Sequence, residues 1–318
     1  MPWLTPVEEF MVRSHFPEPV SWEGLSFGGA VRHALRLSMD EIRELPRRTV
    51  IATLECAGNG RAYLEPPTGG VQWQLGAVGT ASWTGTPLRL LLDQVGLGPD
   101  VVDLVFSARD IGPAGSKEAV RYERSLSVSD AMRDDIILAY EMNGRPLTSD
   151  HGAPLRLIVP GWYGAASVKW LEHVTAIGER FQGHFQVEDY VVRREGRVEP
   201  CREMAVRSII LSPVAGASIG LDSIEIRGLA WSGLGPVEAV EVAIDPDRIH
   251  LRAELDESRG AYAWRLWSAD WKPPSPGPYT ITSQARDAAG RVQRAGQLWN
   301  PGGYANNASV PIQVHVES

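Results

Sequence analysis

The sequence predicts an α+β unit over residues 1–200, followed by an all-β sandwich of immunoglobulin type over residues 201–318. In the first part, apolar β-branched runs are interleaved with capped helices, without the strict βαβ alternation of a doubly wound sheet. From Glu199 to Pro213 the character changes. Beyond that stretch the segments shorten, and turn signals recur about every eight to twelve residues. The 318 residues, 43% apolar and 22% charged, are enough for two globular units.

Taken in order, Thr5-Pro6-Val7-Glu8 has the form of a capping box for a short helix that stops before Pro17. Ser38-Met39-Asp40-Glu41 is a second box, starting a helix that Pro46 ends. Residues 50–54 have the length and β-branched content of a buried strand, which empties into the turn Cys56-Ala57-Gly58-Asn59-Gly60. A polar stretch runs through Gly70, then an apolar and small-residue segment from Trp73 to Trp83. Thr86-Pro87 caps an amphipathic helix over 88–95, closed by Gly96. Strands are expected at 101–107, 136–141, 155–159 and 168–177, with a short helix at 127–134. In the second part they are expected at 224–231, 239–244, 261–266, 279–287 and 310–316, separated by loops such as Gly-Leu-Gly-Pro and Asp245-Pro246-Asp247. Trp231, Trp264, Trp267 and Trp271 have the strand spacing of core and rim aromatics more than of a sugar-stacking face.

Composition excludes several functions. A net charge of −8 supplies no broad basic face for nucleic acid. Cys56 and Cys201, the two cysteines, form neither a disulfide framework nor a Cys-x-x-Cys site. The seven histidines include no close ligand pair, so a protein-only zinc site is not readable. No apolar run reaches membrane-spanning length. The start shows no export signal, which predicts a cytoplasmic protein, or a periplasmic one if a leader precedes it.

Cys56 is the focus of the chemistry. It stands at the mouth of a strand with Arg61 five residues on, whose positive field favours thiolate, the form that ligates metals or attacks electrophiles. The plain alternative is a small apolar residue closing a strand. A hydrolase dyad with His151 is conceivable, yet no known signature of a cysteine nucleophile surrounds Cys56. A lone cysteine makes better sense if a cofactor brings most of a metal's ligands with it.

The run Leu54-Glu55-Cys56-Ala57-Gly58-Asn59-Gly60-Arg61 resembles the molybdenum-ligating loop of the sulfite oxidase family. The resemblance continues in order through Phe10 to Pro17, Trp73 to Gly85, Leu138 to Gly144, Asp150-His151-Gly152 to Arg156, Val159-Pro160-Gly161 and Val168 to Leu171. It covers essentially the whole chain, the second part resembling that family's immunoglobulin-like dimerisation domain; the haem domain of some members is missing.

The resemblance implies a molybdenum–molybdopterin cofactor, with Cys56 as the metal ligand. It implies cofactor contacts from Met11, Val12, Arg13, Ser14, His15, Asp110, His151, Arg156, Ser167, Val168 and Lys169. On the substrate side it implies Arg13, Arg61, Trp73, Asp189 and Tyr190, which suit a small oxyanion and a proton transfer. The implied reaction is oxygen-atom transfer to sulfite, with electrons passed to an external acceptor such as a cytochrome c, in a homodimer. Two departures stand out. Gly60 replaces a second arginine, and Gly302 stands where the animal and plant enzymes carry a substrate-binding arginine, so sulfite should bind more weakly. The same cofactor acting on another oxo-compound, such as a sulfoxide, is a rival reading. A non-catalytic binding module with a structural Cys56 is another.

Overall fold

The computed structural model describes residues 3–194, 196–245 and 248–318. The chain is mostly β, with four short α-helices among the described residues. One sheet of the first half orders Leu35–Leu37, Leu25–Gly29, Leu171–Ile177, Asp103–Ala114 and Lys117–Ser127. Its Leu25–Gly29 and Leu171–Ile177 strands run parallel, and its other pairs are antiparallel. The second sheet orders Arg48–Glu55, Val78–Pro87, Ile137–Met142 and Arg145–Pro146, with Arg156–Ile158 added on Ile137–Met142. The Arg48–Glu55 strand is exposed at its start and buried from Ala52 to Glu55. It therefore drives into the interior and delivers Cys56 to the centre of the molecule. Burial on both faces is why its sequence reads as a continuous apolar run instead of alternating.

Several local expectations are corrected. The Ser38–Glu41 box forms with both of its hydrogen bonds and starts the Met39–Glu44 helix. The Thr5 box does not form. Only a three-residue 3-10 turn, Val7–Glu9, appears there, because the Thr5 hydroxyl instead accepts the Thr80 N–H at 3.1 Å. Thr86 does not cap the Leu88–Val95 helix either; its hydroxyl donates to the Ile42 carbonyl at 3.1 Å. The Trp73-to-Trp83 segment ends in a strand, Val78–Pro87, and the polar Lys117–Ser127 strand was not anticipated.

From Arg207 on, two antiparallel-rich sheets face one another. One orders Arg207–Ser212, Ile224–Trp231, Arg265–Trp271 and Glu254–Leu255, and the other orders Ser218–Ile219, Ile312–Val316, Gly277–Asp287, Val237–Ile244 and Ile249–Arg252. The 261–266 expectation shifts to Arg265–Trp271. Arg207–Ser212 is a strand within the stretch read as a change of character. The turn expected at 245–247 lies partly outside the described residues. All four tryptophans singled out above are at most 3% exposed, so none offers a stacking face. The two halves share one apolar cluster, in which Ala57, Tyr163 and Tyr190 pack with Met204, Trp231 and Trp264. Cys201 is buried in this same cluster.

Candidate functional site

Cys56 lies where two cavities meet. The first is a cleft lined by eleven of the anticipated residues: Met11, Arg13, Ser14, His15, Cys56, Asp110, His151, Arg156, Ser167, Lys169 and Tyr190. The second shares Arg13, His15, Cys56 and Tyr190, and adds Arg61, Trp73 and Asp189. Two expected contacts are not made by side chains lining the cleft. Val12 is 42% exposed and Val168 is fully buried in the apolar core.

The Cys56 turn is held by its own backbone. Cys56 N–H donates to Ala77 O at 2.9 Å, and Asn59 N–H donates to Cys56 O at 2.8 Å. Burial pushes the thiol above its usual value and outweighs the opposing Gly58 N–H, Arg61 and Arg13. The arginine field alone therefore does not ionise Cys56, contrary to the expectation from spacing. A bound metal cation would, since metal binding releases the thiol proton. Among the described residues no cluster of three His, Cys, Asp or Glu side chains could hold a metal ion. Cys56 can bind one only if a cofactor supplies the remaining donors.

The cleft is built for an anion. Arg156 is 5% exposed and donates only to the backbone carbonyls of His151 (2.8 Å) and Ser167 (3.1 Å). Its Nε is buried without a partner, and among the described residues no carboxylate pairs with it. Burial draws this guanidinium down to about 9. Lys169 Nζ donates to Ser14 Oγ at 2.5 Å and to Asp150 O at 2.8 Å; burial and Arg156 bring it down to about 8. Uncompensated buried cations are costly, and an anionic ligand relieves that cost.

Asp110 is the acidic counterpart, raised by burial from 3.8 to about 6 against the opposing pull of Lys169 and Arg121. Between these two values the folded chain still binds a proton that the unfolded chain has lost, so stability falls as pH rises through that window. In the ligand-free protein, Asp110→Asn is expected to remove this fall, a difference read as the change in Tm between pH 4 and pH 6.5. Equal changes for both proteins would refute it.

At the second cavity, Arg61 is 5% exposed. It donates to Val71 O at 2.9 Å and Gly302 O at 3.0 Å, and lies 5.0 Å from the Tyr304 ring centroid. A Cβ at Gly58 or Gly70 would come within 2.8 Å of its guanidinium, which accounts for the glycines around it. Tyr190 has φ +51°, and its hydroxyl meets His15 Nε2 at 2.7 Å. Asp189 pairs with His184 at 3.4 Å.

The two departures acquire physical reasons. Gly60 is left-handed at φ +79°, and a Cβ there would lie 2.4 Å from Arg207 Nη2. The space beside this turn is taken by the buried Arg207, which donates to the Asn59 carbonyl at 3.1 Å. A Cβ at Gly302 would meet the Tyr304 ring at 2.6 Å. A side chain at 302 therefore cannot enter the cavity while Tyr304 stays in place. Sequence reasoning missed Tyr304, Arg207, Arg124 and Arg193, which lie far along the chain from Cys56 or carry no local motif. Arg124 is 1% exposed, donates to the Phe185 carbonyl and sits 5.9 Å from the Tyr190 ring centroid.

Comparison with known proteins agrees with this geometry. Residues 14–185 match the oxidoreductase molybdopterin binding domain family, and residues 198–317 match the Mo-co oxidoreductase dimerisation domain family. The chain is 33% identical to the mitochondrial sulfite oxidase of Homo sapiens over 343 residues, covering 99% of this chain and 62% of that protein. It is 30% identical to the sulfite oxidase of Arabidopsis thaliana, covering 96% of this chain and 86% of that protein. The chain thus spans about three fifths of the length of its mammalian relatives. The crystal structure of the sulfane dehydrogenase SoxCD from Paracoccus pantotrophus superposes with a TM-score of 0.80 at 27% identity, over 91% of this chain and 74% of that one.

Proposed function

Because the chain belongs to the family of oxidoreductases with a molybdopterin-binding domain, here followed by a Mo-co dimerisation domain, we propose that it oxidises sulfite to sulfate and passes the electrons to an external acceptor. The cofactor is molybdenum–molybdopterin. The residues of the cleft fit it: Cys56 is one soft donor, and Arg156, with an unpartnered buried Nε, is an anion-seeking cation beside it. When bound, the molybdenum supplies oxygen-atom transfer to sulfur and takes up two electrons.

The protein's own residues bind and orient. Arg156, Lys169, His151 and Ser14 would hold the polar edge and phosphate of the pterin. Charge-assisted bonds of this kind contribute about 1.5–3 kcal/mol each. Arg13 and Arg61 attract the oxyanion into the second cavity, while the half-buried Trp73 helps to wall it from water. Burial lowers His15 to about 4, so its ring is neutral at pH 7. Arg13 can only donate, so His15 Nδ1, 3.4 Å from Arg13 Nη2, is the acceptor and Nε2 carries the proton. His15 then donates to the Tyr190 oxygen, and the phenolic O–H is free to donate to substrate or water in the cavity.

The position of Cys56 at the meeting point of the two cavities carries this reading. Its test is metal analysis of the purified protein, together with sulfite-dependent reduction of an artificial one-electron acceptor. About one molybdenum per chain and sulfite-dependent turnover are expected. Molybdenum-loaded protein without any response to sulfite would overturn the substrate assignment.

The two-sheet unit after residue 206 is read as an immunoglobulin-like sandwich that pairs two copies, a reading supported by the dimerisation-domain match. A stable pairing buries upwards of roughly 1,200 Å². Light scattering at micromolar concentration is expected to give twice the 34.8 kDa mass of the chain; the single-chain mass would remove dimerisation. No helix among the described residues is long and apolar enough to cross a membrane.

A further inference from the structure

The cavity that holds Arg13 and Arg61 has a third guanidinium, Arg193. Its placement follows from strand alternation. Val191 O lies 3.6 Å from where a Gly302 Cβ would stand, so the Val191–Arg194 strand runs beside Gly302, and along it Arg193 lines this cavity. Val192 and Arg194, on the other face, line a different cavity. Arg193 is exposed, and one of its N–H groups donates to the Glu188 carbonyl at 3.0 Å. Of the nearby carboxylates, Glu188 pairs with Lys117 at 2.9 Å, and Glu188 and Asp189 approach the His184 ring at 3.1 and 3.4 Å. A guanidinium has five N–H donors, and among the described residues one of Arg193's is engaged, by the Glu188 carbonyl. Arg61 gives one bond from each Nη to a backbone carbonyl, and its buried Nε has no partner.

We propose that Arg193 is the outer, substrate-capturing cation of this site, and that it sets a preference for a small doubly charged oxyanion over singly charged or neutral sulfur compounds. This deepens the sulfite reading and rests on it. Arg61 and Arg13 hold the anion at the Cys56 end, and Arg193 closes on it from the mouth with a planar fork that suits two oxygens at once. The chain thereby regains, from a neighbouring strand, the cation that Gly302 and the Tyr304 ring leave no room for at position 302.

Two measurements on the molybdenum-loaded protein test it: steady-state kinetics with sulfite, and binding of sulfate by titration calorimetry. Arg193→Ala is expected to raise KM for sulfite about tenfold to a hundredfold with kcat within about twofold, the signature of lost uniform binding. Sulfate affinity should weaken by a similar factor, and Arg193→Lys should recover part of both. Unchanged sulfate affinity in Arg193→Ala would overturn the proposal. If wild-type protein did not turn over sulfite, the reading of the reaction would fall, while the sulfate titration would still decide whether Arg193 binds the oxyanion.

Discussion

Cys56→Ser is expected to lower sulfite turnover by about three orders of magnitude or more, equivalent to about 4 kcal/mol of lost transition-state stabilisation. A serine hydroxyl is a hard donor that ionises poorly, and among the described residues no cluster of three His, Cys, Asp or Glu side chains is present to hold the metal without the thiolate. Burial sharpens the effect, because the site already disfavours a charged side chain at 56 unless a cation is bound. Cys201→Ser is the control. Cys201 is 3% exposed, and its thiol is likewise pushed up by burial, but it lies outside both cavities of the site. A hydroxyl there lacks an assured partner and costs about 1–3 kcal/mol of stability, so Tm should fall while kcat stays near wild type. Molybdenum content and kcat measured on both variants decide the point. Retained turnover in Cys56→Ser would remove Cys56 as the metal ligand.

The Cys56 turn was legible because its signals are local: a β-branched run, a cysteine, glycines and an arginine within twelve residues. The cofactor-side cations were legible only through the collinear family motifs, since Arg156 or Lys169 alone is indistinguishable from a surface charge. Elements whose stabilisation is tertiary were not legible. In Lys117–Ser127 the alternating Val120, Tyr122 and Leu126 are interrupted by Arg124 and flanked by charged residues, and it is a strand because it pairs with Asp103–Ala114. Thr5 and Thr86 carry good cap chemistry but are drawn to Thr80 and Ile42, where long-range partners win over the local bond. Arg193 and Tyr304 reach the cavity through chain crossings that no local pattern encodes. Gly302 illustrates the same limit. Its glycine suggests a missing cation, whereas the structure shows its space filled by an aromatic ring and another arginine facing the mouth.

Glu55→Ala is expected to destabilise the protein by about 3–5 kcal/mol, the usual cost of stranding one member of a buried ion pair. Glu55 and Arg207 are each 2% exposed at their side chains and meet at 3.0 Å, joining the strand that delivers Cys56 to the first strand of the sandwich. The carboxylate also accepts from Asn59 Nδ2 at 3.0 Å and from Trp231 Nε1 at 2.9 Å. With alanine at 55, Arg207 keeps only the Asn59 carbonyl at 3.1 Å, while its Nε and Nη2 are already without partners. Asn59 loses one of the bonds that shape the Cys56 turn, so molybdenum content should fall along with stability. Glu55→Ala/Arg207→Met replaces the pair by apolar groups and should recover a large part of the lost stability, because no charge is then left buried. The cavity left around residue 55 limits that recovery. Urea unfolding of the three proteins measures the effect, and molybdenum analysis reports the state of the turn. A Glu55→Ala protein within about 0.5 kcal/mol of wild type, the range of ordinary surface changes, would show that the pair does not hold the two halves together. A double variant no more stable than the single one would show that the loss comes from the carboxylate's bonds to Asn59 and Trp231 and not from the stranded guanidinium.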